Sequence, residues 1–263
     1  MPALPMPPCR TALRTLQQGL LLGAAVLALA WGPAQGQSSA PPAPRPGPAP
    51  RALAQQQQLP QQPTPATPRL AQFGRESASA DARRIAQWAF HSGDHRQLAV
   101  VVVDKKDAKV YVFSPDGQLQ GATPALMGSA IGDHTVPGIG DKPIAQVLPA
   151  ERTTPAGRFV AEPGTNASGE DVVWVDYDAA VSMHRVRANV KSERRLERLA
   201  SSTPKDNRIS YGCINLPVAF YEKVLSPAVR STGAVVYVLP ETRPAADLFG
   251  AYEVPGSAAP VRR

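Results

Sequence analysis

The uneven distribution of proline and acidic residues limits where this 263-residue chain can fold. Residues 37–72 contain ten prolines and eight glutamines but neither an aromatic nor an acidic residue, and the first acid in the chain is Glu76. A segment of this composition cannot form a hydrophobic core. We therefore predict a disordered Pro/Gln/Ala-rich tether over residues 37–75 and a folded domain that follows it.

Residues 1–36 have the pattern of a secretory signal peptide. Arg10 and Arg14 form a basic start, Leu20–Trp31 is apolar, and Ala34 and Gly36 supply the small residues of a cleavage site. The apolar run is shorter than the roughly 20 residues of a membrane span. The sequence thus predicts an exported protein of the periplasm or cell wall, with membrane attachment only if the signal is not cleaved.

Charge and cysteine content narrow the function classes. Without residues 1–36 the chain has 26 basic and 21 acidic residues, and this modest excess is not clustered as a nucleic-acid-binding surface requires. Cys9 leaves with the signal, so Cys213 remains alone in an oxidising compartment. A lone cysteine there indicates a reactive thiol or an intermolecular disulfide, and a buried structural cysteine is the alternative.

Hydrophobic patterning predicts a mainly β domain, a β-sandwich or barrel-like fold with a few short helices. An N-terminal helix is expected within residues 76–96, capped by Ser79 and ending near Gly93. Two further helices are predicted at Lys191–Ala200 and Pro217–Leu225, and residues 241–263 are assigned to a C-terminal tail. The predicted strands are Leu98–Val103, Lys109–Phe113, Arg158–Ala161, Val172–Tyr177, Ala180–His184 and Gly233–Leu239.

Residues 210–215 have the sequence Ser-Tyr-Gly-Cys-Ile-Asn, which suits a nucleophile turn. Glycine permits a sharp turn that directs the thiol and neighbouring amides at one substrate. The backbone N–H groups of Tyr211, Gly212 and Cys213 are the candidate oxyanion donors. The helix expected from Pro217 should lower the thiol pKa through its N-terminal partial charge. A Gly-Cys pair alone, however, is more common in structural roles.

A catalytic thiol requires a base, and His184 at the end of a predicted strand is the candidate. His134, in the glycine-rich segment before residue 157, is the alternative. His91 and His95 fall at the end of the first helix, where a cation is ordinary. The sequence has neither a His-Glu-x-x-His motif nor paired cysteines, so we expect no metal and no cofactor.

Together these residues resemble the L,D-transpeptidase (YkuD-type) family, in which a strand-borne histidine precedes Ser/Thr-His-Gly-Cys-hydrophobic-Asn/Arg. Residues 153–159 are similar to the family's Thr-Pro-x-Gly-x-Phe stretch, and residues 103–113 to its opening hairpin. The resemblance covers residues 97–240 and implies an L,D-transpeptidase catalytic domain. Five positions match the cysteine motif directly: Ser210, Gly212, Cys213, Ile214 and Asn215.

The resemblance implies a reaction on peptidoglycan stem peptides. Cys213 would attack the diaminopimelate carbonyl of a tetrapeptide stem and expel D-alanine, with His184 shuttling the proton. Ser210 and Asn215 would orient the loop or bind the peptide. The acyl group would pass to an amine of a second stem, giving a 3→3 cross-link, or of a wall-attached protein. Two alternatives remain open: an L,D-carboxypeptidase that uses the same residues, and a non-catalytic wall-binding module.

Three positions depart from the family pattern. Tyr211 replaces the usual histidine, which alters the side-chain donor, so the backbone N–H is expected to matter more there. Arg185 follows His184 where a small residue is usual, and it is predicted to contact substrate by narrowing the cleft. The interval from His184 to Cys213 is 29 residues, longer than usual, and residues 190–206 are the predicted insertion. Its arginines either bind carboxylates of the stem peptide or belong to a solvated surface helix.

Overall fold

The structure, a computed structural model, describes residues 69–257. The predicted signal peptide and most of the predicted tether lie outside these residues. The last part of that tether belongs to the fold, because Ala71 and Phe73 are buried and Gln72 pairs with Gln118. Phe73 has the aromatic ring that the preceding segment lacks. Within residues 69–257 no helix is both long and apolar enough to span a membrane.

The predicted N-terminal helix is confirmed as α1, Ala80–Ser92. The Ser79 side chain accepts a hydrogen bond from the N–H of Ala82, which satisfies one of the free donors at the helix start. Gly93 ends the helix in the left-handed conformation, with a φ of 73°. The apolar face of α1 is buried against the sheet, so its position is fixed by packing as well as by its caps.

The domain is built on an eight-stranded sheet with the order β3-β2-β1-β10-β5-β6-β7-β9. The β1–β10 and β7–β9 pairs are parallel and the other neighbours are antiparallel. A second sheet pairs β4 with β8. The strands are β1 Ala99–Asp104, β2 Lys109–Phe113, β3 Leu119–Pro124, β4 Met127–Gly128, β5 Gly157–Thr165, β6 Asp171–Asp176, β7 Val181–Arg185, β8 Arg208–Ser210, β9 Ile214–Leu216 and β10 Ala234–Val238.

The two edges of the large sheet approach each other. Leu126, just after β3, exchanges two backbone hydrogen bonds with Asn215 of β9, at 2.9 and 2.8 Å. The sheet is therefore nearly closed, which confirms the mainly β, barrel-like prediction. Near-closure also brings the N-terminal hairpin β2–β3 next to the segment that contains Cys213.

Helices cover both faces of the central strands. Val100 and Val102 of β1 pack in the cluster formed with α1, whereas Val101 and Val103 pack in the cluster that contains the helical segment before β10. A strand buried on both faces explains the unbroken valine run. The remaining helices are α2 Arg195–Ala200, α3 Val218–Phe220, a π-helical turn Tyr221–Leu225, α4 Ser226–Thr232 and α5 Ala245–Phe249.

The segment predicted as a C-terminal tail contains α5, which packs on the domain. Ala245 and Val254 are buried, and the ring of Phe249 meets the ring of Tyr237 edge to face at 5.6 Å. The charged helix predicted at Lys191–Ala200 is shorter than expected. Arg194 takes a left-handed conformation with a φ of 50°, which separates a single 3₁₀ turn from α2.

A fully buried ion pair joins the end of β1 to the loop before β5. Lys105 Nζ donates to Asp133 Oδ1 at 2.9 Å, and both side chains are excluded from solvent. The same ammonium donates to the carbonyls of Gly132 at 2.6 Å and Thr154 at 2.9 Å. All three donors of the ammonium are thus used, as a buried charge requires.

Asp133 in turn holds the segment that follows β10. Its carboxylate accepts the N–H of Glu241 at 2.8 Å and of Thr242 at 2.9 Å. Burial raises the pKa of Asp133, but the hydrogen bonds from Thr242, Lys105 and these amides outweigh it and hold the pKa well below its usual range. A carboxylate with a lowered folded pKa stabilises the fold above its ordinary pKa, and that contribution is lost as the pH falls towards the folded value.

We expect Lys105→Met to lower the free energy of unfolding by about 3 kcal/mol, because it leaves the buried carboxylate of Asp133 without its cation. Urea unfolding followed by circular dichroism measures the change. Lys106→Met is the matched control: its ammonium pairs with Asp81 at the surface at 3.3 Å, and such pairs contribute at most about 1 kcal/mol. Equal unfolding midpoints for the two variants would contradict the assigned role of the buried pair.

Candidate active site

Cys213 lies in a tight turn between β8 and β9. Gly212 precedes it with a φ of 133°, and a Cβ at this position would lie 2.8 Å from the carbonyl oxygen of Thr153. Both the conformation and the close approach require glycine. The Gly-Cys pair is therefore an enforced turn that fixes the thiol position.

The side chains of Ser210 and Asn215 hold this turn from both sides. Ser210 Oγ donates to the Cys213 carbonyl at 2.6 Å and accepts the Gly212 N–H at 3.1 Å. Asn215 Nδ2 donates to the same carbonyl at 3.2 Å. Both side chains are buried. They are therefore placed to orient the loop and are not accessible for contact with a peptide. Because the Gly212 N–H is already engaged, the amides of Tyr211 and Cys213 remain as the candidate oxyanion donors.

Thr154 also supports the turn, and it belongs to residues 153–159, the stretch similar to Thr-Pro-x-Gly-x-Phe. Its Oγ1 donates to the Gly212 carbonyl at 2.7 Å and accepts the Gly128 N–H at 2.9 Å. Its own carbonyl accepts from Lys105. The buried ion pair is therefore linked to the nucleophile turn through this single residue.

Strand β7 brings the candidate base to the thiol. Parallel pairing of β7 with β9 places His184 beside Asn215, two residues after Cys213. Alternation along β7 puts Ser182 on the same side as His184, and Ser182 Oγ lies 3.7 Å from Cys213 Sγ. Sequence reasoning missed Ser182, although its position two residues before His184 on a predicted strand was the available signal.

The hydrogen bonding of His184 defines its tautomer. Nδ1 lies 2.8 Å from the carbonyl oxygen of Arg185. Since a carbonyl only accepts, Nδ1 has the proton in the neutral ring and Nε2 has the free lone pair. The ring is therefore oriented with its basic nitrogen available for proton transfer.

The thiol and the imidazole shift each other's pKa. Burial raises the pKa of Cys213, but interaction with His184 and hydrogen bonds from Ser182 outweigh it, so the thiol pKa is lowered. Burial lowers the pKa of His184, but interaction with Cys213 and the Arg185 carbonyl outweigh it, so the imidazole pKa is raised. Both shifts favour a thiolate–imidazolium pair, the nucleophilic form of a cysteine site.

The predicted helix effect on the thiol is wrong. Strand β9, Ile214–Leu216, lies between Cys213 and the helical segment, which begins only at Val218. The field of a helix end acts within about one turn, so the helix is too distant to activate the thiol. His184 and Ser182 account for the lowered pKa instead.

Arg185 does not narrow a cleft beside Cys213, contrary to the sequence prediction. As the strand neighbour of His184 it points to the opposite face of β7. Its guanidinium donates to Asp171 Oδ1 at 2.8 Å and to Glu222 Oε1 at 2.9 Å, and it lies over the ring of Tyr221. Arg185 thus joins β6, β7 and the helical segment.

Two other candidates lie at the surface. Tyr211 is exposed next to Cys213, with the guanidinium of Arg152 at 4.1 Å from its ring centre. His134 is exposed, and its carbonyl accepts from Thr153 Oγ1 at 2.7 Å. The geometry therefore favours His184 over His134 as the base. Within residues 69–257 no group of three or more His, Cys, Asp or Glu side chains is arranged to hold a metal ion.

The inserted segment 190–206 is bonded to the domain. Arg195 donates to Asn215 Oδ1 of β9 at 2.6 Å, and Leu199 packs with Leu126 and Val186. Arg198 closes the segment on itself by donating to the carbonyls of Glu193 and Asp206, each at 2.7 Å. Two of its arginines are thus engaged within the protein, whereas Arg194 is exposed. Of the two alternatives predicted for Arg194, Arg195 and Arg198, binding of stem-peptide carboxylates does not fit Arg195 and Arg198.

No protein-family model matches the chain, and no curated protein matches it. Solved structures do match at low identity. The helical cell shape determining protein Pgp2 from Campylobacter jejuni is 16% identical, with a TM-score of 0.37 over 56% of this chain and 49% of that one. An L,D-transpeptidase from Mycobacterium smegmatis is 21% identical, with a TM-score of 0.32 over 53% of this chain and 58% of that one.

The catalytic domain of the Enterococcus faecium L,D-transpeptidase is 18% identical, with a TM-score of 0.32 over 54% of this chain and 98% of that domain. The chain thus spans about half the length of Pgp2 and of the Mycobacterium smegmatis protein but nearly all of this isolated domain. At these identities and TM-scores, the likeness does not decide the activity of the chain.

We expect His184→Ala to raise the pKa of the Cys213 thiol towards that of an ordinary cysteine, because the interaction that offsets burial is removed. The rate of alkylation by iodoacetamide, followed against pH on the peptide that contains Cys213, measures this pKa. The rate at neutral pH should fall with the thiolate fraction. His134→Ala is the control and should leave the profile unchanged; the reverse result would make His134 the partner of the thiol.

Proposed function

We propose that the protein is an exported L,D-transpeptidase that acts on peptidoglycan stem peptides, with Cys213 as the nucleophile and His184 as the general base. The observation that carries the proposal is the placement of Cys213, on a turn that only glycine permits, against the face of β7 that bears His184 and Ser182. The match of residues 210–215 to the family motif supports the choice of substrate. The signal pattern of residues 1–36 supports export.

The arrangement supports a two-step acyl transfer. The Cys213 thiolate attacks the diaminopimelate carbonyl carbon, a C–S bond forms, and the amides of Tyr211 and Cys213 stabilise the oxyanion. Collapse of this intermediate breaks the C–N bond, and His184 gives its proton to the departing amine of D-alanine. An amine of a second stem then attacks the thioester, His184 takes the proton, and the thiolate leaves.

The buried polar residues suit this cycle because they fix the turn before substrate binds. Ser210 and Asn215 both donate to the Cys213 carbonyl, and Thr154 donates to the Gly212 carbonyl. With these three hydrogen bonds to the two carbonyl groups in place, the thiol and the adjacent amides keep one relative orientation. Fixed donors of this kind stabilise a developing charge without reorganising during the reaction.

We expect Cys213→Ser to abolish turnover of a disaccharide-tetrapeptide and formation of the acyl-enzyme, since a hydroxyl at this site is a far weaker nucleophile than the thiolate. Intact-protein mass spectrometry detects the acyl adduct, and chromatography detects released D-alanine. The substitution is nearly isosteric, so circular dichroism should remain unchanged. Undiminished turnover in the variant would refute the assignment of the nucleophile.

We expect His184→Ala to slow acylation by about 10² to 10⁴, the usual contribution of a positioned proton acceptor. Acylation is measured as D-alanine release from the tetrapeptide in a single turnover, with His134→Ala as the control.

The products formed by the unmodified protein decide between transfer and hydrolysis. Dimers with 3→3 cross-links support the proposal, whereas tripeptides alone would make the protein an L,D-carboxypeptidase.

A further inference from the structure

The inserted segment places a charged side chain against the nucleophile turn. Arg195, at the start of α2, has only 14% of its side chain exposed. Its guanidinium donates to Asn215 Oδ1 at 2.6 Å and to Glu193 Oε2 at 2.6 Å. Asn215 is the residue whose amide nitrogen holds the Cys213 carbonyl. Arg195 is therefore linked to Cys213 through one intervening residue, Asn215.

The bond from Arg195 determines which way the Asn215 amide faces. A guanidinium only donates, so the side-chain oxygen of Asn215 must face Arg195. The NH₂ group then faces the Cys213 carbonyl, where it is needed as a donor. Because Asn215 is buried and pairs through its backbone with Leu126, the amide direction is the remaining freedom of this residue. Arg195 removes that freedom.

The insertion is anchored firmly enough for this task. Leu199 of α2 is buried in a cluster with Leu126 and Val186. Arg198 closes the segment on itself through the carbonyls of Glu193 and Asp206. The left-handed conformation of Arg194 turns the chain between the 3₁₀ turn and α2, so that Arg194 is exposed and Arg195 is mostly covered.

Arg195 also lies on the His184 side of the sheet, because Asn215, which it binds, is the register partner of His184 between β7 and β9. Its positive charge lowers the pKa of His184 and opposes the larger raising effect of the Cys213 thiolate. Glu193 pairs with Arg195 and offsets part of this charge, while the Arg185 side chain points to Asp171 and Glu222 on the other face of β7. Cys213 and Arg195 thus lie on the same side of β7 as the imidazole ring.

We propose that Arg195 is a positioning residue of the active site, by which the inserted segment orients the Asn215 amide, and through it the Cys213 turn, and sets the electrostatic environment of His184. This inference rests on the proposed catalytic roles of Cys213 and His184. It replaces the sequence-based expectation that the arginines of the insertion bind carboxylates of the stem peptide. It also assigns a role to the segment that departs most from the family pattern.

The first test uses the thiol alone and requires no stem peptide. Alkylation of Cys213 by iodoacetamide is followed against pH in Arg195→Gln, Arg195→Lys and the matched control Arg194→Gln. Removing the charge in Arg195→Gln should raise the pKa of His184. The inflection in the alkylation rate that reports this pKa should therefore move to higher pH. Arg195→Lys keeps a cationic donor, so the inflection should stay at the pH found for the unmodified protein. Identical profiles for Arg195→Gln and Arg194→Gln would overturn the inference.

The second test uses turnover of the disaccharide-tetrapeptide. Arg195→Gln should lower kcat by about 10-fold or more with little change in KM, because a misplaced turn impairs chemistry and not uniform binding. A rise in KM at constant kcat would instead make Arg195 a substrate-binding residue and overturn the inference. A third outcome separates the inference from the proposed function. If Arg195→Gln shifts the alkylation profile but the unmodified protein does not process stem peptides, the proposed function is refuted and the inference stands.

Discussion

The buried charge pair of Lys105 and Asp133 joins the loop before β5 to the segments that follow β1 and β10. The ammonium binds the carbonyls of Gly132 and Thr154, while the carboxylate binds the segment that leaves β10. Thr154 then donates to the carbonyl of Gly212. The loop between β4 and β5, which has neither strands nor α-helices, is thereby held by two buried charges. The turn that contains Cys213 depends on this loop for the hydrogen bond from Thr154. The cost of burying both charges is offset only because nearly every donor and acceptor is satisfied.

The proposed catalytic pair, Cys213 and His184, depends on topology in the same way. Cys213 and His184 are distant in sequence, and the parallel register of β7 with β9 brings them together. One residue of slip in β7 would exchange His184 for Arg185, whose side chain faces Asp171 on the other side. The near-closure at Leu126 and Asn215 fixes β9 from its other edge. The position of His184, the proposed base, is thus a property of the nearly closed sheet and not of the local motif.

Local sequence patterns predicted those elements that local interactions determine. The caps at Ser79 and Gly93 and the valine run of β1 were sufficient for α1 and the central strand. The strands β3, β4, β8 and β9 were not predicted, because they are short or polar and are stabilised by their partners. The assumed activation of Cys213 by a following helix failed because β9 intervenes. The roles of Cys213 and His184 were proposed from the sequence motif. The contacts that Ser182, Thr154 and Arg195 make with residues 212–215 required the fold, since strand register and buried hydrogen bonds create them.

Parallel pairing of β1 with β10 has a consequence for how the chain reaches its folded state. The pair Ala99 and Ala234 comes from near the two ends of the domain, so this contact closes a long loop and its formation is expected to be slow. Until β10 arrives, β1 presents one unpaired edge of consecutive valines, the kind of segment that recruits strands from other molecules. A chain of this topology therefore benefits if β1 is kept from pairing with other molecules until the C-terminal part of the chain is available.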